Sequence, residues 1–217
     1  MIQLISSNTI RFAGISHVVR IGVLIISCSL FLSSCSSDRL KPLPYSAKIL
    51  AFGDSLTAGY GVSKVHRYPS VLAELTGLEV INAGISGEVT EDGLKRLPTL
   101  LQQHRVQLMV LLQGGNDILR NKSLSKAQQN LAQMIEIAHQ QNIDVVLIGV
   151  PEKKLFSSAA PFYEELAEQY DLVYDGEIIR ELLTEPEMKS DSVHFNNQGY
   201  RQLALTVHQL LKDNGAL

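Results

Sequence analysis

Apolar residues along this chain fall into short runs separated by stretches with helical spacing. Lys48-Ile49-Leu50-Ala51-Phe52 is a short, mostly apolar run that stops at Gly53. Leu78 to Ile81 is a second, ending at Asn82-Ala83-Gly84. Val106 to Leu112 is apolar nearly throughout, the pattern of a parallel strand covered on both faces. Asp144 to Val150 reads as a fourth strand, stopped by Pro151, and Leu172-Val173-Tyr174 as a short fifth. Between them the period changes to that of a helix. Tyr68 to Leu75 reads as helical, and Leu94, Leu97 and Leu101 mark one helical face. Leu124, Ala127, Leu131, Met134 and Ala138 mark another, with Ser125 and Gln128 spaced as a capping box at its start. Phe162 to Tyr170 follows, and Tyr200, Leu203, Val207 and Leu210 close the chain. Repeated strand–helix alternation predicts an α/β fold, a five-stranded parallel sheet with helices on both faces. Residues 48–217 then form one domain, expected to be monomeric, with no internal repeat.

Composition narrows the classes. With 217 residues, 45% of them hydrophobic, and a net charge of −3, the bulk of the chain cannot be a disordered, highly charged polymer. No strongly basic balance marks a nucleic-acid partner. Two cysteines, Cys28 and Cys35, cannot build a disulfide framework or a Cys-rich zinc site. His66, His104, His139 and His208 show no metal-ligand clustering, so neither a metal nor an organic cofactor is expected.

The N-terminus has a separate character. Residues 1–34 contain Arg11 and Arg20 and no acid. The apolar stretch from Ile21 to Leu32 falls short of the ~20 residues a bilayer-spanning helix needs. A basic start, a short apolar middle and a small-residue end describe a secretory signal peptide. Its end, Leu32-Ser33-Ser34-Cys35, resembles the lipobox of bacterial lipoproteins. That resemblance implies a diacylglyceryl group on Cys35, which becomes residue one after cleavage. The expected location is then an exported, membrane-anchored lipoprotein. In a Gram-negative cell, Ser36 in place of Asp implies the outer membrane, facing the periplasm. Residues 35–47, with Pro42 and Pro44 and no apolar periodicity, read as a tether.

Ligands of open parallel sheets bind beyond the carboxyl ends of the strands. Gly53-Asp54-Ser55, Gly84-Ile85-Ser86-Gly87, Gly114-Gly115-Asn116-Asp117 and Asp191-Ser192-Val193-His194 all follow strands. Ser55 alone reads as a turn residue or helix cap, or as a nucleophile that needs a base. Asp191 and His194, three apart, are separately a cap and a surface histidine. Together they are a carboxylate placed to orient an imidazole. Asn116 is a turn residue, or an amide donor to a developing oxyanion. Gly87 fits a tight turn, or lets a backbone N–H approach a ligand unobstructed. The chain has no G-x-S-x-G elbow, no Walker loop and no complete dinucleotide fingerprint.

GDSLTAGYG (Gly53–Gly61), NAGISGEVT (Asn82–Thr90), GGND (Gly114–Asp117) and DSVHFN (Asp191–Asn196) resemble, in order, the four blocks of the GDSL or SGNH hydrolase family. GDSLTAGYG, ISGE and GLKRLPTLL (Gly93–Leu101) are most similar to its bacterial arylesterase, thioesterase and lysophospholipase branch. The resemblance implies a flavodoxin-like three-layer domain with strand order 2-1-3-4-5. It implies Ser55 as nucleophile, His194 as general base and Asp191 as its orienting acid. The N–H groups of Ser55 and Gly87 and the amide of Asn116 would form the oxyanion hole. The implied substrate is a small carboxylic ester, a thioester or a lysophospholipid. The family's carbohydrate esterases add cell-wall deacetylation as an alternative, and a binding lipoprotein without turnover is a third reading. One departure stands out. Where this branch carries a segment of the R-x-P-P-N-Y-G kind, this chain has Val150-Pro151-Glu152-Lys153-Lys154-Leu155-Phe156-Ser157-Ser158, and it is shorter.

Overall fold

Ile49 to Phe52 are fully buried because β1 (Lys48–Gly53) lies inside a sheet covered on both sides. In the computed structural model, which describes residues 39–153 and 158–217, β1 pairs in parallel with β2 (Glu79–Gly84) and β3 (Leu108–Leu112). β4 (Asp144–Ile148) and β5 (Val173–Asp175) complete the order β2-β1-β3-β4-β5 expected of a flavodoxin-like fold. Every residue of β3 is buried, whereas in the edge strand β2 only Ala83 is buried and the rest are exposed or half-buried.

The helices are α1 (Ser55–Ala58), α2 (Tyr68–Thr76), α3 (Thr90–His104), α4 (Gly115–Leu119), α5 (Leu124–Gln140), α6 (Pro161–Gln169), α7 (Ile178–Thr184) and α8 (Asn197–Asp213). α2 packs against α8, while α5 packs against α3 and α6. Leu131, Met134 and Ala138 of α5 are buried, as their spacing predicts. The cap of α5 differs from expectation. Ser123, not Ser125, is the N-cap, its Oγ accepting the N–H of Lys126 at 3.3 Å. Ser125 lies within the first turn because the helix starts two residues earlier than the capping-box spacing implies. α1, α4 and α7 were not anticipated, since four to seven residues are too few to show a helical period. The fourth strand also ends at Ile148, two residues short of the run in the sequence.

Residues 39–47, which read as tether, are held against the domain. The Leu40 and Leu43 N–H groups donate to the carbonyls of Asn214 and Ala216 after α8 (3.0 and 2.9 Å). Lys41 bonds the Asp144 carboxylate through its N–H and its Nζ (2.9 and 3.0 Å), and Leu40 is buried. These contacts gather at the amino ends of the strands, opposite the edge that carries the four polar segments. The signal-peptide and Cys35 expectations lie outside the described residues.

Candidate active site

Gly53 ends β1, and the chain turns at once into α1. Asp54 caps that helix, its Oδ1 accepting the Leu56 N–H at 3.1 Å, and Ser55 is the first helical residue. The turn is possible because Gly84, at the end of β2, has no side chain. A Cβ there would come within 2.0 Å of the Ala58 N. Ser55 therefore sits at the carboxyl edge of the sheet, on a turn braced by two strands.

The histidine reaches Ser55 by a long return from β5. The chain passes through α7 and a 3₁₀ turn at Pro186–Met188. It then folds into a loop closed by Ser190 N–H to His194 O (3.0 Å) and Ser190 Oγ to Phe195 O (3.1 Å). Asn196 fixes the exit. Its Nδ2 donates to the Glu187 carbonyl at 2.7 Å, and its Oδ1 caps α8 through the N–H groups of Gln198 and Gly199. Within the loop Asp191 Oδ1 accepts the N–H groups of Val193 and His194, both at 2.9 Å. That leaves Oδ2 at 2.8 Å from His194 Nδ1, while His194 Nε2 lies 3.0 Å from Ser55 Oγ. The Tyr60 ring lies over the imidazole, with centroids 4.4 Å apart. Desolvation pushes the Asp191 pKa up, but the two N–H bonds and the imidazole outweigh it and hold the carboxyl below its usual range.

Ser55, Gly87, Asn116 and His194 all line one cavity of about 600 Å³. One wall is apolar, formed by Leu56, Ile118, Leu119, Val150, Ile179 and Leu183, while Asp54, Ser86, Glu152, Lys153 and Ser192 also line the cavity. Gly87 has φ +80°, a conformation that disfavours any side chain. Among the described residues, the N–H groups of Ser55 and Gly87 have no acceptor. Asn116 differs from expectation in one respect. Its Nδ2 is already engaged, donating to Asp54 Oδ2 at 3.2 Å and to the Glu88 carbonyl at 3.1 Å. Asp54 is buried, and burial pushes its pKa up to about 6 against the N–H of Leu56, the positive field of His194 and the Asn116 amide. A carboxyl whose folded pKa is raised contributes stability that is present below its unfolded value and lost as pH rises through about 6.

Asp117, the last residue of the GGND block, does not line the cavity. It accepts the Thr90 N–H and Oγ–H, both at 2.9 Å, and so ties the third block to the start of α3. Sequence reasoning did not single out Asp54, Tyr60 or the α7 residues Ile179 and Leu183. Asp54 and Tyr60 stand inside the first block and were within reach. Ile179 and Leu183 belong to a helix too short to predict. Among the described residues, no group of three or more His, Cys, Asp and Glu side chains is arranged to hold a metal. No helix among them is long and apolar enough to cross a membrane.

The fold, a single α/β domain built on a five-stranded parallel sheet, is the one found in SGNH hydrolase structures. Residues 51–202 match the GDSL-like lipase/acylhydrolase family, and the chain belongs to it. An arylesterase of Vibrio mimicus is 34% identical over 177 residues, covering 76% of this chain and 88% of the relative. Thioesterase 1/protease 1/lysophospholipase L1 of Escherichia coli is 31% identical over 156 residues, covering 68% and 75%. The crystal structure of TesA superposes with a TM-score of 0.70 at 27% identity, covering 77% of this chain and 99% of that one. The protein is a carboxylic ester hydrolase of this family.

Proposed function

We propose that the protein is a serine esterase that forms an acyl-enzyme on Ser55, acting on esters whose acyl chain fills an apolar pocket. The observation that carries this reading is the continuous line of contacts from Asp191 Oδ2 to His194 to Ser55 Oγ, opening into the cavity. Ser55 Oγ attacks the ester carbonyl carbon as its proton passes to His194 Nε2. Asp191 keeps the other ring nitrogen protonated and stabilises the imidazolium. The carbonyl oxygen gains charge and is met by the Ser55 and Gly87 N–H groups and by Asn116, which turns one N–H from Asp54 to the oxyanion. The bond from the carbonyl carbon to the leaving oxygen breaks, and that oxygen takes the proton held by His194. Water, deprotonated by the same histidine, then releases the acid and restores Ser55. A thiolester or a lysophospholipid enters the same cycle with a different leaving group.

The apolar wall favours longer acyl chains over acetylated sugars. Each buried methylene contributes about 0.8 kcal/mol, so kcat/KM is expected to rise about three- to four-fold per methylene until the pocket is full. A panel of p-nitrophenyl esters of graded length, acyl-CoAs, lysophospholipids and acetylated sugars measures this. A flat response to length, or acetylated sugars as the best substrates, contradicts the reading.

We also propose that Cys35 carries the lipid and anchors the exported domain to a membrane, in the outer membrane facing the periplasm if the cell is Gram-negative. The lipobox-like Leu32-Ser33-Ser34-Cys35 after an apolar run supports it. Two or more acyl chains give stable anchoring where one does not. The wild-type protein is expected to partition with membranes and Cys35→Ser to lose the lipid mass. Mass spectrometry that finds an unmodified Cys35 in the exported protein rejects the anchor.

A further inference from the structure

The strongest polar cluster outside the line from Asp191 to Ser55 lies directly beneath the loop that carries Gly87. Arg96, on α3, grips Glu88 with two parallel bonds, Nε to Oε1 and Nη2 to Oε2, both at 2.6 Å. Glu88 is almost fully buried, and the Arg96 guanidinium lies over the Phe52 ring, 4.1 Å from its centroid. The same Nη2 donates to the Ala83 carbonyl at 2.8 Å, at the end of β2, and lies 3.4 Å from the Gly53 carbonyl, at the end of β1. Gln113 adds a bond from Nε2 to Glu88 Oε2 at 3.0 Å and a second to the Val89 carbonyl at 3.2 Å. One guanidinium therefore joins the strand end before Ser55, the strand end before Gly87 and the residue after Gly87. The backbone of Glu88 completes the circuit, because its carbonyl accepts the Asn116 amide at 3.1 Å.

We infer that the Arg96–Glu88 pair is a positioning device for the oxyanion hole, holding the Gly87 N–H and the Asn116 amide in one fixed geometry. The inference rests on the proposed reading of Gly87 and Asn116 as oxyanion donors. A buried pair of this kind is not needed for stability alone, since apolar residues of similar volume often replace one without loss. A bidentate fork does fix distances and directions, which a lysine's single ammonium cannot do. Donors aimed at a developing charge lose most of their effect when displaced by about 1 Å. Neither residue lines the cavity, so substrate binding in the ground state is untouched.

The test measures steady-state kinetics, melting and inhibition by a phenylboronic acid, whose serine adduct places an oxygen in the hole. Arg96→Lys, Glu88→Gln and the apolar double variant Arg96→Met/Glu88→Met are compared with wild type. In each folded variant kcat is expected to fall about 10- to 100-fold with KM within about two-fold. The boronic acid should weaken by the same factor as kcat/KM, because both report the oxyanion contacts. The double variant, whose apolar pair keeps the fold, guards against a loss that reflects unfolding alone. A folded double variant with wild-type kcat overturns the inference, as does a fall in kcat with unchanged boronic-acid affinity. Asn116→Ala is the control, expected to lower kcat about 10²- to 10³-fold. If it is impaired while the pair variants are not, only the positioning role fails. If it keeps wild-type kcat, the reading of the oxyanion hole itself fails.

Discussion

Replacement of Ser55 by alanine is expected to lower kcat for ester hydrolysis by about 10⁴- to 10⁶-fold and to leave the fold intact. The loss follows from the chemistry, because no acyl-enzyme can form without Oγ and the remaining groups act only on water. The stability follows from the contacts. The Ser55 side chain is half-buried and, among the described residues, its hydroxyl bonds only His194, while the turn is held by Asp54 and by the backbone of α1. A change of this size at such a position is worth within about 0.5 kcal/mol. Kinetics and a melting curve on the same preparation separate the two. An active Ser55→Ala protein rejects the nucleophile. An inactive one that melts far below wild type leaves the assignment to a Ser55→Cys variant, which keeps the turn and can still be acylated.

Loss of His194 is expected to be nearly as severe, about 10⁴- to 10⁶-fold in kcat, and to differ in its pH dependence. His194→Ala leaves Ser55, Gly87 and Asn116 in place, so substrate still binds and the oxyanion is still met. What disappears is the base, and the residual rate should climb with hydroxide concentration instead of following the titration of an imidazole. The space left beside the Tyr60 ring, 4.4 Å from the lost imidazole, should admit added imidazole and recover part of the rate. Asp191→Asn should cost less, about 10⁴-fold, because the imidazole remains but its tautomer is no longer fixed. Rate–pH profiles of the three proteins decide. An unchanged profile for His194→Ala contradicts a base at that position.

The fold was legible where the apolar pattern was long. β1, β3 and β4 announced themselves as continuous runs because both sheet faces are covered, and the long helices α3, α5 and α8 showed their periods. α1, α4 and α7 escaped because each is shorter than two turns, yet all three matter. α1 carries Ser55, α4 carries Asn116, and α7 supplies Ile179 and Leu183 to the cavity. The site residues were legible for another reason. Ser55, Gly87 and Asn116 sit just after strands that end in glycine and polar residues, and Asp191 and His194, well past β5, share a three-residue spacing; both are local signals that need no knowledge of packing. The contacts that hold them were not. That Asn116 bonds Asp54 and Glu88, or that Arg96 spans two strand ends, depends on residues far apart in the chain meeting at one edge. No spacing in the sequence encodes those meetings. The segment 39–47 shows the same limit, for prolines and scattered charges read as tether until Asp144 and the end of α8 are seen to hold them.

Covalent acylation of Ser55 requires an activated Oγ, and a fluorophosphonate marks such an oxygen. Intact-mass and peptide mass spectrometry after treatment with a fluorophosphonate report which oxygen is activated, with no dependence on the natural substrate. One adduct per chain on the peptide containing Ser55, formed in step with the loss of ester hydrolysis, is the expected result. An adduct on any other residue, or hydrolysis that persists in fully labelled protein, contradicts the account.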